Sequence, residues 1–252
     1  MFASNTEEQL LELMKDNEEL KEKFNQYKQE LSFFLSRMTH DIKNPLTLMS
    51  SSLQLMEKRD PTLAELPYWD SVKADLKDVF SLLDQLRNFN YGDQLTLLPT
   101  DLTTLLMELR ASFEAYAREK DLRLTITLEE NCHPYVDQWL CDPVKLKEAL
   151  INLLKNAIEA AEENGLVSIV CSFSSSQLSI AITNTGNTLK IAELEKMGTP
   201  FYTTKPGGTG LGLPTVHKII AAHKGQLTID SYDDKTTFTV SLPLTAPIPT
   251  ER

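Results

Sequence analysis

Apolar residues in the first forty positions recur alternately three and four apart, at Leu10, Leu13, Leu20, Phe24, Tyr27, Leu31, Phe34 and Met38, with Asn17 on the same line. That period keeps one seam on one face of a supercoiled helix. Glu18, Glu19, Lys21, Glu22 and Lys23 beside it are charged. Two elements fit: an amphipathic helix packed on its own chain, or a parallel coiled coil between two subunits, in which Asn17 on the seam helps fix the register. Past Met38 the stripe continues through Ile42, Leu46, Met49, Leu53 and Met56. Its four-plus-four step at Ile42 shifts the phase. Pro45 falls at the same place, deleting one helical hydrogen bond at a cost of about 3 kcal/mol, and is expected to free the Asp41 carbonyl and bend the helix beside His40. The helix should end near Lys58-Arg59-Asp60-Pro61. A second stripe, Trp69, Val72, Leu76, Val79, Phe80, Leu83, Leu86 and Phe89, follows Pro67. Two helices joined by a short loop form a hairpin that cannot bury its stripe alone, whereas two hairpins make a four-helix bundle. Burial therefore predicts a homodimer.

Asn90-Tyr91-Gly92-Asp93 breaks the second helix, and the pattern turns to mixed α and β. A short strand is expected at Leu95–Leu98 and a helix capped by Asp101 and reaching about Lys120. The alternation in Leu122–Leu128 predicts a strand. Asp142-Pro143 opens a helix that should run to about Glu163, closed by Asn164-Gly165. Val167–Phe173 and Gln177–Thr183 read as a hairpin. A Gly-rich loop leads into a helix over about Leu213–His223, which Lys224-Gly225 ends. Strands at Gln226–Ser231 and Thr236–Leu242 follow, and the proline-rich tail is expected to be disordered.

Composition narrows the function. A net charge of −11 lacks the basic stripe of a nucleic-acid binder and disfavours docking on an anionic membrane. Three cysteines without a CxxC pair imply neither a disulfide framework nor a zinc site and fit a reducing cytosol. No apolar run is long enough to span a membrane.

Four segments carry candidate chemistry. His40 is followed by Asp41, with Asn44 one helical turn on. Asn152 and Asn156 are four apart in the apolar run Leu146–Ile158, with Lys155 between them, so both asparagines share a face. Helix interiors disfavour asparagine, so such a pair suggests polar groups aimed into a site. Asn184-Thr185-Gly186 follows a strand. Finally, Gly207, Gly208, Gly210 and Gly212 fall within six residues and run directly into a helix, whose N-terminal N–H groups attract phosphate. Neither GxxxxGK[ST] nor GxGxxG is present, so Walker-type and Rossmann-type nucleotide binding are not indicated.

Together these segments resemble the catalytic portion of a sensor histidine kinase of two-component signalling, over roughly Leu31 to Leu244. His40-Asp41-Ile42-Lys43-Asn44-Pro45-Leu46 resembles the H box of the dimerisation and phosphotransfer domain. Asn152-Leu153-Leu154-Lys155-Asn156-Ala157 resembles the N box, and Asn184-Thr185-Gly186 sits where the G1 box belongs. Thr199-Pro200-Phe201-Tyr202-Thr203-Thr204-Lys205 resembles the F box, and Gly208-Thr209-Gly210-Leu211-Gly212-Leu213 the G2 box. The implied fold is α+β and multidomain: a coiled-coil helix over 1–30, a dimerisation and phosphotransfer hairpin over 31–92, an ATP-binding α/β sandwich of the GHKL (Bergerat) type over 93–244, and a tail over 245–252.

The resemblance also implies roles. His40 is the nucleophile toward ATP, Asp41 orients it, and Asn44 positions water for dephosphorylating a partner. Asn156 is the Mg²⁺ ligand, and Asn152 is a further nucleotide-binding residue of the N box. Lys155 and Lys205 lie along the phosphates, while Thr204, Gly208, Thr209, Gly210, Leu211 and Gly212 form a lid. Asn184 and Gly186 receive adenine; Asp142 and Tyr202 are read as structural. The implied partners are a second copy, a response-regulator receiver domain and an upstream sensor, in a cytoplasmic protein whose membrane anchor, if any, lies outside this chain. Two positions depart from the family. Its G1 box reads Asp-x-Gly-x-Gly, whereas here Asn184 and Thr188 replace the acid and the second glycine. Related ATPases of this fold place a glutamate base where this chain has Asn152, so slow hydrolysis and transfer to His40 are expected. The competing expectation is a degenerate, dimeric nucleotide-binding scaffold.

Overall fold

The computed structural model describes residues 17–186, 188–194, 196–205 and 208–244. Leu10, Leu13, Asn187, Gly207 and the tail lie outside them. The described residues form two compact units, the first ending at Tyr91 and the second starting at Gly92.

The first unit is a helical hairpin. Helix α1, Glu18–Arg59, continues through Pro45, and helix α2 spans Trp69–Asn90. Asn17 does not sit on a helical seam: its side chain accepts the Leu20 N–H at 3.0 Å and caps α1. An asparagine oxygen satisfies one of the N–H groups that a helix start leaves bare. Asp60 stops α1 and caps a single 3₁₀ turn, Pro61–Glu65. Three polar ties fix how α1 meets α2. Asn90 Nδ2 donates to Ser32 O at 2.8 Å, Lys43 Nζ to Asp84 at 2.7 Å, and Lys73 Nζ to Glu57 at 2.8 Å. Only Thr39 on α1 and Leu76, Leu83 and Asn90 on α2 are buried. The α1 seam is left bare, with Tyr27 63%, Phe34 57%, Met49 55% and Met56 54% exposed.

The second unit is a two-layer α/β sandwich. In chain order it contains β1 (Leu98–Thr100), α3 (Leu102–Glu119), β2 (Arg123–Leu128), α4 (His133–Val136), β3 (Trp139–Cys141) and α5 (Pro143–Ala160). Then come β4 (Leu166–Ser174), β5 (Gln177–Thr185), α6 (Ile191–Leu194), α7 (Gly212–Ala222), β6 (Gln226–Tyr232) and β7 (Lys235–Pro243). Five strands form one sheet in the order β2-β4-β5-β7-β6, parallel only between β2 and β4. Helices α3, α5 and α7 pack on it, burying Leu106, Leu109, Leu150, Leu153, Leu154, Ile219 and Ile220 against Ile169, Ile180, Ile182 and Val240. The strands alternate as a sheet with one covered face demands.

Three expectations change. The first strand lies at Leu98–Thr100 rather than Leu95–Leu98, because it pairs with β3, Leu98 opposite Cys141 and Thr100 opposite Trp139. The Thr96 N–H is taken instead by Asp142 Oδ2 at 2.7 Å. Helix α5 ends at Ala160 rather than near Glu163, because the Glu162 N–H leaves the helix for Thr185 O at 3.2 Å on β5. Helix α4 and strand β3 carry no periodic signal of their own and were not expected.

Candidate nucleotide site and phosphoacceptor histidine

In the first unit, His40 stands 71% exposed on α1. Its Nδ1 faces Asp41 Oδ1 at 3.3 Å, with Asn44 Nδ2 at 3.4 Å from the same nitrogen. The two contacts require opposite tautomers: Asp41 needs N–H at Nδ1, whereas the Asn44 amide needs a lone pair there. The carboxylate makes the stronger, charge-assisted bond and selects Nδ1–H, which leaves the lone pair on Nε2.

In the second unit, α5 is a wall met by three loops in succession along its length. Asp142 sets its start. Oδ1 accepts the Val144 and Lys145 N–H groups at 3.1 and 2.9 Å while Oδ2 holds Thr96. Burial opposes its charge, but these N–H donors outweigh burial and hold the carboxyl below the usual range. His223 at the end of α7 also fastens this corner. Its Nε2 accepts the Asp142 N–H at 3.0 Å and its Nδ1 faces Ile219 O at 2.8 Å, which fixes a neutral ring with the proton on Nδ1.

Nearly three turns along α5, Asn152 Nδ2 donates back to Glu148 O at 3.1 Å, and Asn152 Oδ1 lies 3.2 Å from where a Cβ on Gly212 would stand. The start of α7 is thus pressed against the N-box helix. Gly210 has φ +69, and a Cβ there would come within 2.5–2.7 Å of backbone atoms of Phe201 and Tyr202. The lid folds back on itself at this point, and only glycine fits. Phe201 N donates to Gly210 O at 3.1 Å, and Leu211 N to Thr209 Oγ1 at 3.2 Å. Thr204 and Gly208 are exposed, and Leu211 is buried.

A turn further on, Lys205 Nζ reaches from the lid to Asn156 Oδ1 at 3.2 Å and Glu159 Oε2 at 2.6 Å. Lys155, 60% exposed, points at Glu159 from 3.8 Å. At the end of α5, a Cβ on Gly186 would lie 2.7 Å from Ala160 O, so the G1 turn abuts the same helix. Asn184 precedes it on β5 as the last member of the buried row Leu178, Ile180, Ile182, Asn184. It is 1% exposed, and its Oδ1 has no hydrogen-bond partner among the described residues. An orphaned acceptor in a covered position costs about 1–3 kcal/mol unless a ligand pairs it.

Comparison with known proteins names this arrangement. The model of histidine kinase-, DNA gyrase B- and HSP90-like ATPases matches residues 141–246, and that of the His Kinase A (phospho-acceptor) domain matches 30–94. The solved catalytic domain of histidine kinase ThkA is 30% identical, with a TM-score of 0.54, covering 60% of this chain and 97% of that one. The chain belongs to the histidine kinase family. Sporulation kinase C of Bacillus subtilis is 30% identical over 90% of this chain and 53% of its own length. Sensor histidine kinase ZraS of Escherichia coli K12 is 29% identical over 92% and 49% respectively. The chain thus spans about half the length of these curated relatives.

In this member of the histidine kinase family the segments that resemble the family's boxes meet around α5, and the His40 group lies in the other unit. One contributor, Glu159, went unread in the sequence, and Thr188 was read there only as a departure from the family's glycine. Glu159 was legible as the residue three beyond Asn156, hence on its face. Thr188, where the family has glycine, has a use that a glycine lacks: its Oγ1 accepts the Asp234 N–H at 3.1 Å and ties the G1 turn to the β6–β7 turn. The residues also suit a divalent ion. Asn156 Oδ1 already holds a cation, the Lys205 ammonium, and amide and carboxylate oxygens are hard donors. Among the described residues no helix is long and apolar enough to cross a membrane.

Proposed function

We propose that this chain is the catalytic part of an ATP-dependent protein-histidine kinase that phosphorylates His40 and passes the phosphoryl group to an aspartate of a response regulator. The observation that carries this reading is the exposed His40 ring, held at Nδ1 by Asp41, in a chain whose other unit belongs to an ATP-binding family. The Nε2 lone pair attacks the γ-phosphorus of ATP. The N–P bond forms as the bond from the γ-phosphorus to the bridging oxygen breaks, and ADP leaves with that electron pair. Nδ1 keeps its proton, so the ring becomes cationic, and the Asp41 carboxylate stabilises it, as the third group of a catalytic triad does. An aspartate oxygen of the regulator then takes the phosphoryl group and returns His40 to neutrality.

The Asn184 Oδ1 acceptor suits the adenine amino group, and Lys155 and Lys205 suit the phosphates. Asn152 is an amide where related ATPases use a base for water, which favours transfer over hydrolysis. A Mg²⁺ ion held by Asn156 would neutralise phosphate charge. Homodimerisation through the bare α1 seam completes the assembly: an exposed row of Tyr27, Phe34, Met49 and Met56 fits a second copy forming a four-helix bundle. The inactive-scaffold alternative is disfavoured by an orphaned Asn184 acceptor and a lid lysine already seated on the N-box helix. Asn44, beside the His40 ring, suits a role in dephosphorylating the regulator.

Incubation with γ-labelled ATP and Mg²⁺ should give an acid-labile, base-stable label that His40→Gln abolishes. Label persisting in that variant would sink the assignment.

A further inference from the structure

The Lys205 ammonium is met by two oxygens of α5, Asn156 Oδ1 at 3.2 Å and Glu159 Oε2 at 2.6 Å. The two residues are three apart on one helix and so point to the same side. Glu159 is partly buried, its side chain 25% exposed, whereas Lys205 is 41% exposed and comes from the lid. A neutral amide oxygen and a carboxylate converging on one cation form the kind of donor set that hard divalent ions use with phosphates and water.

We propose that Glu159 and Asn156 together form a two-oxygen cation site, that the Lys205 ammonium stands in there for the divalent metal of a bound metal–nucleotide, and that the metal displaces Lys205. This rests on the nucleotide-site reading above and adds a metal ligand to it. Among the described residues no three His, Cys, Asp or Glu side chains cluster to hold a metal. The remaining ligands in this arrangement are the phosphates and water, so the site fills with nucleotide. Glu159 cannot serve both cations at once, because a lysine ammonium and a divalent ion repel at such range. Once released, Lys205 finds the triphosphate as the nearest anion, so metal entry and capture of the phosphates by the lid become one event.

Calorimetric titration of a non-hydrolysable ATP analogue into the full chain over a Mg²⁺ series tests this without turnover. Glu159→Gln should raise the Mg²⁺ midpoint for nucleotide binding about tenfold or more, while metal-free affinity holds or rises because Lys205 is freed. Lys205→Met should move the midpoint the other way, since the metal loses its competitor, even as nucleotide affinity drops. An unchanged midpoint in both variants would overturn the proposal and leave Glu159 a simple partner of Lys205, with the nucleotide-site reading intact. Failure of the unmodified chain to bind nucleotide at any Mg²⁺ concentration would overturn both.

Discussion

Asn184 ends a buried aliphatic row with an amide whose oxygen has no partner among the described residues. A purely structural asparagine there would be a defect, since an apolar residue would pack without the desolvation cost. The two uses separate by experiment. Asn184→Ala should weaken binding of an ATP analogue about tenfold, the worth of one hydrogen bond in a covered site, yet leave the melting temperature nearly unchanged because an unpaired group has been removed. Equal losses of binding and stability would mark the residue as structural. The sequence had shown the position and the departure from aspartate. It had not shown that the oxygen lies unpaired, which depends on Val167 and Thr236 flanking it across the sheet. The bonds made by Thr188 and Glu159 were hidden for a similar reason: Thr188 acts on Asp234, and Glu159 on a lysine of the lid, both distant in sequence.

At the scale of elements, helix starts were the most legible features. Asp101 and Asp142 were read as caps, and both accept helix N–H groups. Capping is a local bond between a residue and the next three, so the sequence holds all of it. Strand β1 and the end of α5 were misplaced because their N–H groups are claimed by partners far along the chain. Asp142 also carries a pH signature. Its folded carboxyl is held below the ordinary value of 3.8 by the Lys145, Thr96 and Val144 N–H groups despite burial. The stability it adds is thus complete above the unfolded value and is lost as pH falls through the lower folded one. Chemical denaturation midpoints between about pH 5 and 2 should therefore fall less steeply in Asp142→Asn than in the unmodified chain.

Over the whole molecule, apolar burial is divided unequally. The second unit has a contiguous core, whereas the hairpin buries little besides Leu76 and Leu83 and leaves its α1 seam in water. All three cysteines are buried and free in the second unit, and burial, helped by the neighbouring Cys132, pushes the Cys171 thiol up to about 12. Thiol chemistry can therefore report on that unit alone. On dilution, helical signal from the hairpin should fall with protein concentration while no cysteine reacts with an aromatic disulfide reagent; all three should react in denaturant. A concentration-independent helical signal would argue against a second copy covering the seam. By itself the sequence determined the long helices, the Asp101 and Asp142 caps and the alternation of the sheet strands, because period and capping are properties of neighbouring residues. Only the tertiary structure decided which oxygens lie unpaired, that Lys205 crosses to Asn156 and Glu159, and where β1 and α5 stop, because each depends on a partner that folding brings near.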